Sequence, residues 1–102
     1  MSEKRSYVGV PKDENGGLTP VGRIVMDAWV FGLIPETETG EGWSLARLDA
    51  LYDQVTRAWE PHGHLASRLP AELRERHARI YDDAVRRARS QGWDPELHEE
   101  DD

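Results

Sequence analysis

Between Val21 and Leu33 the chain carries only two charged side chains, Arg23 and Asp27. This stretch constrains the fold more than any other. Thr19-Pro20 announces a helix, because a hydroxyl N-cap is followed by Pro at the first helical position. Ile34-Pro35 stops it, since the residue before a proline is driven out of the helical region. The pattern predicts a first helix near 20–33. On a helical wheel Val21, Ile24, Val25, Ala28, Trp29 and Phe31 cover a broad arc, which Met26, Val30 and Leu33 widen. Arg23 and Asp27 are spaced i,i+4 as an ion pair. A helix this apolar needs cover on most sides. Either it is the central element of the fold, or another chain covers part of it.

Two further helices follow. Ser44 is an N-cap, Trp43 is placed to staple onto Leu48, and Leu45, Leu48, Leu51, Tyr52, Val55 and Trp59 share one face. These signals predict a helix near 44–60, ended by Glu60-Pro61 and the turn His62-Gly63-His64. A third, near 70–91, buries Leu73, His77, Ile80, Tyr81, Ala84, Val85 and Ala88. Gly92 ends it, with Trp93 placed to fold back onto the last turn. The fold class read from these elements is all-α, a compact three-helix arrangement.

The two ends read differently from the middle. Of 20 Leu, Ile, Val and Phe residues, 17 fall between Leu18 and Trp93, as do all four Trp. That clustering separates a helical domain over 18–93 from a polar N-terminal arm over 1–17. Tyr7-Val8-Gly9-Val10-Pro11 can lie as an extended strap, but no partner strand is evident, so a loosely packed arm is expected. The net charge of −7 is concentrated in an acidic tail over 94–102, where Asp94, Glu96, Glu99, Glu100, Asp101 and Asp102 face no Lys or Arg. Without that tail the body is nearly neutral, and a short acidic tail is ordinarily a solvated one.

Composition excludes several classes of function. With no cysteine, disulfide frameworks, thiolate metal sites and cysteine nucleophiles are ruled out. The start Met-Ser-Glu-Lys-Arg-Ser leads into no apolar core of a signal peptide, and no apolar run is long enough to span a bilayer. A cytoplasmic location is expected. Eleven Arg against two Lys suits a GC-rich, bacterial-like genome and does not by itself indicate phosphate recognition.

No phosphate loop, nucleophile elbow or His-Glu metal motif occurs, so no catalytic residue, cofactor or small-molecule substrate is assigned. The acidic loop Glu36 to Glu41 lacks the ligand ladder of a calcium loop. His62 and His64, with Glu60 and a distant His77, have the residue types of a small Zn²⁺ or Ni²⁺ site, although two His flanking a turn Gly are also ordinary. The third helix carries Arg74, Arg76, Arg79, Arg86, Arg87 and Arg89, which makes a nucleic-acid-associated regulator an alternative. Four acid-first i,i+4 pairs, Glu72–Arg76, Glu75–Arg79, Asp82–Arg86 and Asp83–Arg87, also explain that pattern as helix stabilisation. The leading expectation is a non-enzymatic accessory or protein–protein interaction domain. It docks onto a protein partner or a second copy through the first helix and the following loop, with Trp29, Phe31, Leu33, Ile34 and Trp43 as the contact residues.

Overall fold

The computed structural model describes residues 6–92. It contains three α-helices, α1 (Pro20–Val30), α2 (Leu45–Trp59) and α3 (Ala71–Ser90), with short 3-10 turns between and before them. No strand occurs among the described residues. The all-α three-helix arrangement is therefore present. Trp93 and the acidic tail over 94–102 lie outside the described residues, as do residues 1–5.

Local chemistry sets the helix limits. Thr19 Oγ1 accepts the Gly22 N–H at 2.9 Å, and Ser44 Oγ accepts the Arg47 N–H at 3.2 Å, satisfying donors that the first turns leave open. α1 ends three residues before the expected limit. Gly32 adopts φ 71°, its N–H reaches Trp29 O at 3.1 Å, and the Leu33 N–H reaches Ala28 O at 2.9 Å. These two bonds form a left-handed glycine cap, which closes the helix before Pro35 can act.

α1 is the central element. Val25, Met26, Ala28 and Val30 have no exposed surface, and they share one core with Trp29, Trp43, Leu48, Leu51, Val55, Ile80 and Ala84. Part of the cover comes from the N-terminal segment, which corrects the expected loose arm over its described part. Tyr7 exchanges backbone hydrogen bonds with the loop before α2, donating to Trp43 O at 3.0 Å and accepting from the Gly42 N–H at 2.8 Å. The Val10 N–H donates to Thr39 O at 3.1 Å, and the Val10 side chain is fully buried in the core. The partner that the strap needs is thus a loop, not a strand. The domain begins near Tyr7, well before Leu18.

The strap then clasps α3. Arg87 donates to Gly16 O from Nε at 3.2 Å and Nη2 at 3.0 Å, while Gln91 Oε1 accepts the Gly16 N–H at 3.2 Å. Such close approach needs a residue without a Cβ: at Gly16, φ 66°, a Cβ would meet Ala84 O and the Ala88 N of α3. Asp13 fastens the middle of the strap, its Oδ2 accepting from Tyr7 Oη and from Thr19 Oγ1, each at 2.6 Å.

Gly22 supplies a test of this packing. Replacing a helical Gly by Ala ordinarily stabilises by about 1 kcal/mol. Here the new Cβ would collide with the Gly17 carbonyl oxygen. Gly22→Ala is expected to reverse the usual sign, destabilising by at least about 1 kcal/mol, as read from the urea unfolding midpoint. A more stable Gly22→Ala protein would mean that the strap does not lie on α1.

Candidate functional site

The lone acid of α1 organises the region where the three helices meet. Asp27 Oδ1 accepts the Tyr81 hydroxyl of α3 at 2.6 Å, and Oδ2 accepts the Trp59 indole N–H of α2 at 3.1 Å. A partly buried carboxylate needs such donors, and here each oxygen has one from a different helix. Burial and the Asp27 charge beside it push the Tyr81 phenol well above its ordinary pKa, so it stays protonated and donating. The expected Arg23–Asp27 ion pair is not what either residue makes. With Asp27 engaged across the helices, the Arg23 guanidinium lies 5.8 Å from the Tyr81 ring centroid.

An aromatic seam extends from this point. His77 stacks on Tyr81 with centroids 4.5 Å apart and meets Trp59 edge-on at 6.0 Å. Trp59 meets Phe31 edge-on at 5.1 Å, and Phe31 stacks with His62 at 6.1 Å. These separations and orientations are the favourable ones for aromatic pairs. Two open hollows flank Trp59. One, of about 450 Å³, is lined by Arg23, Asp27, Trp59, His64, His77 and Tyr81. The other, of about 260 Å³, shares Arg23, Asp27, Trp59 and His64 and adds Ile24, Tyr52 and Val55. Together they make one groove. His64 faces it from a backbone with φ 60°, a conformation unusual for a side chain larger than glycine.

The possible metal cluster does not assemble. His62 stacks on Phe31, His77 lies between Tyr81 and Trp59, and His64 lines the groove. Among the described residues no three His, Cys, Asp or Glu side chains are grouped to hold a metal ion.

The arginines of α3 are also placed differently from the i,i+4 expectation. Arg76 donates to Val30 O at 2.9 Å, covering the end of α1, and Arg74 donates to Leu69 O at 3.3 Å. Arg79 grips both oxygens of Glu36 at 3.0 and 2.8 Å, and these hydrogen bonds hold the Glu36 carboxyl below its usual pKa. Arg87 binds Gly16, and Arg86 pairs with Asp83 at i,i+3. Tertiary carbonyls and a loop carboxylate offer these guanidiniums better geometry than the neighbouring turn does.

The five residues expected to contact a partner divide. Trp29 and Trp43 are core, 8% and 6% exposed; Trp29 donates to Glu38 O at 2.8 Å, and the Trp43 carbonyl binds the strap. Both are corrected from contact to core, because the strap and the loop before α2 close over them. Phe31 is half-buried within the aromatic seam. Leu33, 37% exposed, and half-buried Ile34 stay together at the surface. They line a hollow of about 410 Å³ with the edge of Trp29, Pro35, Glu36 and Arg76.

No family model, curated protein or solved structure matches this chain. Among the described residues no helix is long and apolar enough to cross a membrane. The groove around Trp59 is the feature that sequence reasoning passed over. Its signal was Asp27 itself, a single acid inside an apolar helix that must find donors once buried.

Two outcomes follow from the Asp27 contacts. Asp27→Ala leaves the Tyr81 hydroxyl and the Trp59 N–H without their acceptor and is expected to cost about 3 kcal/mol in urea unfolding. Asp27→Asn, which keeps one acceptor oxygen, should cost less. The second concerns alkaline pH. Tyr81 and Tyr7 both have folded-state pKa values raised above the unfolded value near 10. The stability they contribute is full below pH 10 and falls as pH rises beyond it, because the unfolded chain releases protons that the folded chain retains. Above pH 10 the urea midpoint should fall, and less steeply in Tyr81→Phe; equal slopes would remove Tyr81 from this role.

Proposed function

We propose that the chain is a small, non-enzymatic, cytoplasmic interaction domain. It docks onto a protein partner, or a second copy of itself, through the end of α1 and the following loop. Leu33 and Ile34 are the contact side chains, with Phe31 at the margin. One observation carries this reading: the loop is held firmly yet leaves Leu33 exposed and Ile34 only partly covered. Arg76 on Val30 O, the bidentate Arg79–Glu36 pair, Trp29 on Glu38 O and the Gly32 cap all restrain it. A loop already held in one shape loses little conformational entropy on docking.

The state of the titratable groups in the neighbouring groove supports a non-enzymatic reading. Both Asp27 oxygens accept structural hydrogen bonds, and the Tyr81 phenol is held in its protonated form. A phenol held protonated in this way is not poised as a base. A cysteine-free, highly charged composition agrees with a reducing cytoplasm. The arginines of α3 give weaker support to nucleic-acid binding, because Arg74, Arg76 and Arg87 direct N–H groups at protein carbonyls.

Photo-crosslinking in the native host tests the reading. A benzophenone amino acid replacing Leu33 should give one discrete adduct, either with a second copy or with one other protein. Ile34→Ser in the same chain should abolish that adduct. Because half-buried Ile34 also packs against the core, a thermal melt of the variant accompanies the test and should show it still folded at the crosslinking temperature. The same benzophenone replacing Arg89, exposed on the last turn of α3, should give none. Indistinguishable patterns at positions 33 and 89, or no adduct at 33, would overturn the proposal.

A further inference from the structure

The geometry points to a second binding site: the groove around Trp59 takes a short acidic, apolar segment of a partner chain, seating a carboxylate on Arg23 and an apolar side chain against Trp59 and Tyr52. This site is separate from the loop of Leu33 and Ile34 and stands independently of it.

The sign of the ligand follows from which charge in the groove is already satisfied. Asp27 gives one oxygen to Tyr81 and the other to Trp59, so a cation approaching it competes with two short bonds that hold the helices together. Arg23 has the opposite status. It is exposed, its guanidinium is positioned over the Tyr81 ring, and it lines both hollows. Among the described residues it makes no salt bridge, because Asp27, its i,i+4 neighbour, points its oxygens to the other helices. A guanidinium 5.8 Å from a ring centroid, with no carboxylate of its own among the described residues, keeps N–H donors for one. Exposed His64 lines the same hollows and brings no carboxylate to them.

The shape points to a chain segment. The hollows are open to solvent and share one wall, so they do not enclose a small molecule as a buried pocket does. Pro20 and Asp27 mark the reach of the α1 wall, about 10 Å along the helix. Three or four residues of extended chain span about 10 to 13 Å. The apolar part of the surface is formed by Ile24 of α1 with Tyr52, Val55 and Trp59 of α2, and Tyr52 is 53% exposed there. An extended segment with an acid and an aromatic residue two positions apart puts both on one face.

The test uses the full chain and three capped tetrapeptide amides, Glu-Ser-Phe-Ser, Gln-Ser-Phe-Ser and Lys-Ser-Phe-Ser. Binding is followed by ¹⁵N NMR at the Trp59 indole N–H. The Glu peptide should shift that signal saturably, with affinity about tenfold above the Gln peptide and further above the Lys peptide. Arg23→Gln should erase the difference between the Glu and Gln peptides, and Arg23→Lys should retain part of it. Both variants alter an exposed side chain, and an unchanged amide spectrum elsewhere confirms their fold. Three results overturn the proposal: equal or tighter binding of the Lys peptide, Glu-peptide shifts confined to the Trp29 indole beside Leu33, or no Trp59 shift from any peptide at millimolar concentration. None of these bears on crosslinking from position 33, so the two sites fail separately.

Discussion

Asp27 is the constraint on which the rest of this structure depends. A carboxylate inside an otherwise apolar helix is costly unless donors reach it, and α2 and α3 each supply one. Trp59 and Tyr81 are therefore fixed in position as well as packed, and α1 is tied to both neighbours at a single residue. The strength of the arrangement lies in its completeness. Each oxygen is used, the donors are neutral, and among the described residues no buried side-chain polar atom lacks a hydrogen-bond partner.

The same bonds shape the surface. Drawing Asp27 toward α2 and α3 separates it from Arg23, which settles over Tyr81 at the edge of the groove. Trp59, turned to reach Asp27, divides that groove into two hollows and carries the seam that runs through His77 and Phe31. A core hydrogen-bond pattern thus decides which charged side chain remains available to a partner.

At the other end of α1 the fold depends on the absence of side chains. Gly16 lets the strap lie against α3, and Gly22 lets α1 lie against Gly17. Arg87 and Gln91 then satisfy the backbone of Gly16, which packing against α3 would otherwise strip of water. Arg76 and Arg79 do comparable work on the loop after α1. The arginine content of α3 is accordingly explained in large part by docking of irregular segments.

Local signals determined much of this architecture. Thr19-Pro20, Ser44 and Gly92 mark helix limits because capping involves only a few consecutive residues. Helical spacing finds the buried Leu48, Leu51 and Val55 of α2 and Ile80, Ala84 and Ala88 of α3, but not that Leu45 and Tyr52, expected on the same α2 face, stand exposed. Sequence also showed α1 to be too apolar to stand at a surface on most sides, while leaving open what covers it. That choice belonged to tertiary structure. The strap, the loop before α2 and the other two helices bury Trp29 and Trp43, leaving Leu33 and Ile34 as the outward part of the expected contact surface. The partners of Asp27, Arg23, Arg76, Arg79 and Arg87 were equally beyond local reasoning. An i,i+4 rule describes a charged pair on an isolated helix, and here long-range donors and acceptors with better geometry compete for the same groups. The first helix and its single acid were visible from sequence; where that acid points, and which arginine it leaves available, only the packed helices decided.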